Sequence, residues 1–147
     1  MSFIKKGKKN IRNYIPKNPQ KYKGRYPILT RSKWEYRFCQ WLDVNPNIPE
    51  WNSEGIAIRY YDPIQMKNRR YYPDFFIKNL NNERFLIEIK PNKETKLPTK
   101  TGRKSQKTQL YQEATYLTNQ AKFKAAENFC KKMGYSWKLL TERDLFK

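Results

Sequence analysis

The sequence predicts a mixed α/β (α+β) domain in the order α-β-β-β-α-β, preceded by a basic N-terminal arm. Three observations predict it. Apolar residues recur at helical spacing in two segments, one starting near Trp34 and a long one after Gln106. Short aromatic and β-branched runs bounded by Asn, Asp and Pro lie between them. The length, 147 residues, suits one domain with one core of limited size.

The arm is assigned to residues 1–30 and the domain proper to 31–147. Between Met1 and Lys33 there are eleven Lys and Arg and no acidic residue, with prolines at Pro16, Pro19 and Pro27. Such a segment has little to bury, so it is expected to be flexible or to lie over an anionic partner. Its bland alternative is a solvated tail that aids solubility.

The first helix starts near Ser32, where Ser32-Lys33-Trp34-Glu35 matches a capping box. Trp34, Phe38, Trp41 and Leu42 are expected to face a core, and Asn45-Pro46 ends the helix. A short extended piece follows over Ile48 to Trp51. Strands are expected over Ile56 to Tyr61, Arg69 to Ile77 and Arg84 to Ile89, forming an antiparallel meander. Asp62-Pro63 and Asn79-Leu80-Asn81-Asn82 supply the turns. A polar, basic loop runs from Pro91 to Ser105. Helical periodicity then covers Gln106 to Met133, with Leu110, Ala114, Leu117, Ala121, Ala125 and Phe129 on one face and a break expected at Thr118-Asn119. Gly134 stops the helix. Ser136 to Leu140 reads as a last strand, and Glu142 to Phe146 as a short terminal helix.

Charge narrows the partner. Thirty-two Lys and Arg against 13 Asp and Glu give a net charge of +19, which suits a polyanion. No apolar run approaches the length of a membrane span, and the N-terminus lacks a signal-peptide core, so an intracellular protein with no membrane association is expected. Cys39 and Cys130 fall among apolar neighbours and read as buried thiols. The absence of histidine excludes Ser-His-Asp and Cys-His catalysis and the common zinc sites. Chemistry is left to carboxylates, lysines, hydroxyls and a bound metal.

Tyr72-Pro73-Asp74-Phe75, followed fourteen residues later by Glu88-Ile89-Lys90-Pro91, carries that inventory. Side chains alternate along a strand, so Glu88 and Lys90 share one face while Phe85, Ile87 and Ile89 share the other. A Glu and a Lys late in an apolar strand are costly to bury without partners, and Asp74 with a cation would supply them. Pro73 donates no ladder hydrogen bond, so Asp74 is expected at a distorted or edge position. Asp74 and Glu88 are oxygen ligands of the kind Mg²⁺ prefers, with Mn²⁺ expected to substitute. Lys90 would orient the attacking water and stabilise charge on a phosphate, or accept a proton if a metal depressed its pKa. The alternative for each residue is structural: a turn at Asp74 and a surface ion pair at Glu88 and Lys90. Glu35 lies at the edge of its helix's apolar face, where it could join the site and the metal or simply complete the capping box.

Other basic positions are candidates for nucleic-acid contact. Arg69 and Arg70 approach Asp74 along their strand, and Arg103, Lys104 and Lys107 follow the Glu-x-Lys strand. Lys122, with Asn119, could reach a phosphate from the long helix, unless that face is merely solvated. No helix-turn-helix or zinc finger is present to read bases.

Pro73-Asp74 and Glu88-x-Lys90, in this strand order, resemble the PD-(D/E)xK nucleases with their restriction-endonuclease-like core and central mixed sheet. The segment from Arg31 to Leu145 further resembles the A-subunit endonucleases of heteromeric transposases. The shared features are Ser32 and Glu35, the Tyr-Pro-Asp-Phe and Glu-Ile-Lys-Pro strands, Asn119-Gln120-Ala121-Lys122, and Leu139-Leu140-Thr141-Glu142. Compact size and the basic arm are similar to the head-completion nucleases of T-even-type tailed phages. The resemblance implies catalytic Glu35, Asp74, Glu88 and Lys90. It also implies a metal-dependent endonuclease, with an exonuclease role left open, that trims packaged double-stranded DNA before the tail joins the head. Portal or other head-neck proteins become expected partners, and the cytoplasm of the infected host or the virion the expected location. Two alternatives stay open: a structure-specific junction, repair or transposase-type endonuclease, and a non-catalytic DNA-binding protein of the virion. Oligomeric state is not legible.

Overall fold

A computed structural model describes residues 11–99 and 101–145. The first ten residues of the expected arm, Lys100 and the last two residues lie outside the described residues. The order is β1 (Arg12–Tyr14), β2 (Ile28–Thr30), α1 (Lys33–Val44), β3 (Glu50–Ser53), β4 (Ile58–Asp62), β5 (Lys67–Tyr71), β6 (Phe75–Lys78), β7 (Arg84–Ile89), α2 (Gln106–Met133), β8 (Ser136–Leu140) and α3 (Glu142–Leu145).

The central sheet has the order β3-β6-β7-β8. Its first three strands pair antiparallel, whereas β7 and β8 pair parallel across the crossover through α2, so the sheet is mixed. Strand parity sends Phe75, Ile77, Ile87 and Ile89 to one side, where they pack with Phe38 and Leu42 of α1 and with Trp51. Phe76 and Leu86 point to the other side and pack with Phe123, Ala126 and Cys130 of α2. The sheet is thereby sandwiched between two helices, the α+β architecture expected. Both cysteines are free and buried, as read from the sequence.

Five expectations are corrected. The three-strand meander does not form. The segment read as one strand over 69–77 divides at Tyr72-Pro73-Asp74. Its first part pairs with β4 in a separate two-stranded sheet, and its second part pairs with β3 and β7. The extended piece before Trp51 is therefore a strand of the central sheet, displacing β4 from the place the sequence reading gave it.

The long helix is continuous through Thr118-Asn119. Its buried residues are Asn119, Phe123, Ala126 and Cys130, at spacings of four, three and four, while Leu110 and Leu117 are exposed. The inward stripe is thus rotated from the expected one because a buried Asn and a Cys belong to it. Gly134 closes the helix at φ 75°, and its N–H donates to the Cys130 carbonyl.

Finally, residues 11–30 have much to bury. Tyr14, Tyr22 and Ile28 belong to the α1-side core, and the Tyr22 ring meets Trp51 edge-on at 4.8 Å. Asp43, itself buried, gathers this segment: it accepts from Tyr14 Oη, from Lys17 N at 2.7 Å and from Asn18 N at 3.0 Å. Lys21 Nζ meanwhile caps three carbonyls at the end of α1, those of Leu42, Asp43 and Asn45. The basic side chains dilute the apolar signal without preventing the backbone from packing. No helix among the described residues is long and apolar enough to cross a membrane.

Candidate active site

Pro73 is what divides the strand. It has no N–H for a ladder and its ring is fully buried, so the chain leaves β5 at Tyr71 and enters the central sheet at Phe75. Asp74 falls in the gap. Its carbonyl accepts Glu54 N–H at 3.0 Å, and its carboxylate Oδ2 accepts the Ile89 N–H at 2.8 Å. That second bond fastens Asp74 to the end of β7, between Glu88 and Lys90.

Glu88 shares its face with Leu86, on the α2 side of the sheet, and is buried. Its Oε1 accepts from Tyr71 Oη at 2.7 Å and its Oε2 stands 3.6 Å from Lys90 Nζ. Tyr71 is thus a member of this cluster that the sequence does not single out. Lys90 is held by its own backbone, whose N–H donates to the Leu140 carbonyl at 2.9 Å. Glu35 comes from α1 on the opposite side of the sheet. Ser32 Oγ caps the helix by accepting Glu35 N–H at 3.1 Å. The Glu35 carboxylate accepts from Ser32 Oγ at 3.2 Å and from Arg31 N at 3.4 Å. The capping box is therefore present with a shifted return bond, and Glu35 is nonetheless close enough to feel the other carboxylates.

The electrostatics record that convergence. Burial, then repulsion from Glu88 and Glu35, pushes the Asp74 carboxyl well above its ordinary range. Burial raises Glu88 as well, against the pull of Lys90, Tyr71, the Asp74 backbone and Lys122. Burial and the field of Glu88 raise Glu35, although its Arg31 and Ser32 hydrogen bonds oppose this. Burial works to lower the Lys90 ammonium, but Glu88, Asp74, Glu94 and Glu35 outweigh it, and Lys90 is held cationic. Three carboxylates thus sit in a region where removal from water disfavours their charges, and repulsion adds to this at Asp74 and Glu35.

That is a region a divalent cation would relieve, and the donor set tests the fit. Among the described residues no three carboxylate or thiolate side chains come together as a cage able to hold a metal unaided. The expected three-ligand set of Asp74, Glu88 and Glu35 is therefore not assembled; Glu35 approaches from across the sheet and keeps its capping bonds. Mg²⁺ needs no such cage, because one or two carboxylates with water and substrate phosphate complete its octahedron. Asp74 and Glu88 meet that demand.

The flanking basic residues separate by position. Lys122 comes close to the site: its Nζ lies 5.7 Å from the centre of the Tyr71 ring and 5.9 Å from that of Tyr60. Burial and then Lys90 lower its pKa, against Glu88. Asn119 is buried one turn earlier on α2. Arg69 shares strand parity with Tyr71 and stands 3.7 Å from Asp62, whereas Arg70 lies on the opposite face, paired in register with Arg59. The joint expectation for the two arginines is accordingly split. Arg103 and Lys107 are exposed beside the start of α2, and Lys104 Nζ donates to the Thr99 carbonyl at 2.7 Å.

A Pro-Asp break that places one carboxylate against a Glu-x-Lys strand end, on a mixed sheet held between helices, defines the PD-(D/E)xK class of nucleases. Within that class the chain belongs to the TnsA-like endonuclease family, whose N-terminal domain model matches residues 45–142. That span holds Asp74, Glu88, Lys90, Asn119 and Lys122; Glu35 precedes it. The chain is also similar to the head completion nuclease of Enterobacteria phage T4, with 39% identity over 139 residues covering 90% of this chain and 91% of that protein. No solved structure matches.

Proposed function

We propose that the chain is a Mg²⁺-dependent DNA nuclease that hydrolyses phosphodiester bonds during phage head completion, acting on packaged double-stranded DNA in the host cytoplasm. The observation that carries this reading is the meeting of Asp74, Glu88 and Lys90 at the break between β5 and β6 and the end of β7. Asp74 and Glu88 would hold the metal, and Mn²⁺ would substitute. The bound metal supplies polarisation of the scissile phosphate and a more acidic water.

The chain's own residues do the rest. Lys90, kept protonated by the surrounding carboxylates, stabilises negative charge developing on the phosphate and orients the attacking water. Tyr71 fixes the Glu88 carboxylate by donating to Oε1. Glu35 acts from α1 as a neighbouring carboxylate that can accept a proton from water, rather than as a third ligand. Lys122 and Arg69 present positive charge along one flank, and Arg103, Lys104 and Lys107 along another, where they would neutralise backbone phosphates. The surplus positive charge serves the same end. Portal or other neck proteins are the partners this role requires.

A non-catalytic DNA-binding role is disfavoured by the site itself. Buried carboxylates that repel one another destabilise a fold, and such an arrangement is kept where chemistry uses it. The reading is tested by incubating the purified chain with linear and supercoiled DNA, with Mg²⁺ and with a chelator. Cleavage that needs Mg²⁺ and falls at least about a hundredfold in Lys90→Ala is expected. Metal-independent cutting, or full activity in Lys90→Ala, would refute it.

A further inference from the structure

The loop after β7 and the first half of α2 enclose a cavity of about 480 Å³. Lys93, Lys96 and Lys104 line it from the loop, and Tyr111, Tyr116 and Asn119 from the helix. We propose that this cavity is a subsite for an unpaired nucleotide of the substrate strand, beside the scissile phosphate. The proposal rests on the nuclease reading above and adds the class of DNA the site prefers: single-stranded tails and ends over continuous duplex.

Position is the first argument. Lys93 follows Lys90 by three residues, so the cavity opens within roughly 10 Å of chain from the site lysine. Glu94, the acidic side chain in the lining, is close enough to act on the Lys90 ammonium, and Lys90 acts on it in return. A strand with one phosphate at Asp74 and Glu88 would thus have a neighbouring nucleotide at the cavity mouth.

The chemistry of the lining is the second argument. Two tyrosines, Tyr111 and Tyr116, are in the lining, and stacking of a base on such a ring tolerates any sequence because every base has a π-face. Three lysines complement the adjoining phosphates. Asn119, buried on α2, and Gln112 offer amides to a base edge. The volume falls in the range of small-molecule pockets, which suits one nucleotide and not a base pair still within its stack. A base already unpaired enters without the cost of unstacking, so the cavity selects for it.

The cavity is also held in shape. Gln109 Nε2 donates to the Pro98 carbonyl at 3.1 Å and to Glu113 Oε2 at 2.8 Å, while Lys104 Nζ donates to the Thr99 carbonyl. These bonds tie the loop to itself and to α2. The same loop is basic and polar in sequence, which is why it reads there as an ordinary connection.

The test uses the full chain with a metal chelator, so that DNA is bound but not cut. Binding is compared, by fluorescence anisotropy, for a blunt duplex and for the same duplex with a short single-stranded tail. A 2-aminopurine in the tail reports stacking by quenching. Tighter binding of the tailed duplex by about tenfold, with quenching, is expected. Tyr111→Ala, at an exposed position, should remove that preference and the quenching while leaving blunt-duplex binding unchanged; Tyr111→Phe should retain both. Equal affinity for the two DNAs, or an equal loss for both in Tyr111→Ala, would overturn the subsite. Cleavage with Mg²⁺, assayed in parallel, separates the two readings. Cutting without tail preference removes the subsite alone, and tail preference without cutting removes the nuclease reading while the binding site stands.

Discussion

Tyr71 donates its phenolic hydrogen to Glu88 Oε1 across 2.7 Å, joining the end of β5 to the end of β7 although those strands belong to different sheets. The bond fixes which way the Glu88 carboxylate faces and leaves its second oxygen beside Lys90. Burial, then the Glu88 charge, pushes the Tyr71 hydroxyl far up, so it stays protonated and remains a donor.

Removing that donor gives the first prediction. Tyr71→Phe keeps the ring that packs at 6.4 Å from Phe123 and deletes only the hydroxyl. DNA cleavage should fall by about 10- to 100-fold, mostly through weaker metal affinity, as when a partner that orients a ligand is lost. Stability should fall by only ~1–2 kcal/mol. Titrating the cleavage rate against Mg²⁺ checks this: the half-saturating concentration should rise.

Metal addition should stabilise the fold. The carboxyls of Asp74, Glu88 and Glu35 are all pushed up by burial, and those of Asp74 and Glu35 also by repulsion. A cation bound there at a hundred times its Kd adds about 2.7 kcal/mol. That corresponds to a rise in Tm of roughly 5–10 °C for a chain of this size. Differential scanning fluorimetry with Mg²⁺ or Mn²⁺ should show the rise in the native chain. In Asp74→Asn the metal-free Tm should be higher than native, since one repelling charge is gone, and the metal increment should disappear.

A pH dependence is expected at Asp43, far in role from the site. Burial acts to raise its carboxyl, but the hydrogen bonds from Tyr14, Lys17 and Asn18 prevail and hold it below its ordinary value of 3.8. A carboxylate lowered on folding stabilises the native state above the unfolded pKa and loses that contribution as pH falls through the folded one. Native stability should therefore decline below about pH 4 on this account. Asp43→Ala should lose ~2–4 kcal/mol at pH 7, because three donors are left without their acceptor. Chemical denaturation of both proteins at pH 7 and at pH 3 measures it; the difference between them should shrink at the lower pH.

Local rules made the centre of the site legible. Period-two alternation in Arg84–Ile89 placed Glu88 and Lys90 opposite Ile87 and Ile89, and the Pro73 restriction placed Asp74 outside a ladder. Ser32 and Gly134 marked helix ends through their own chemistry. Tyr71 escaped because its bond to Glu88 spans seventeen residues and two sheets, and nothing at Tyr71 distinguishes it from Tyr60 or Tyr61. The inward face of α2 escaped because Asn119 and Cys130 occupy positions that a hydrophobic count assigns to leucines. The packing of residues 11–30 escaped because Tyr14, Tyr22 and Ile28 are scattered among lysines and arginines, and their partner Asp43 looks like any charge near a helix end.

The role proposed for Asp74 is to hold the metal that DNA cleavage needs. The most direct measurement is the Mg²⁺-dependent cleavage rate of Asp74→Asn, taken beside its thermal unfolding and its DNA affinity in chelator. Loss of at least about a hundredfold in rate is expected, with the fold intact and DNA binding essentially unchanged. A variant that folds, binds DNA and still cuts it at close to the native rate would contradict the account.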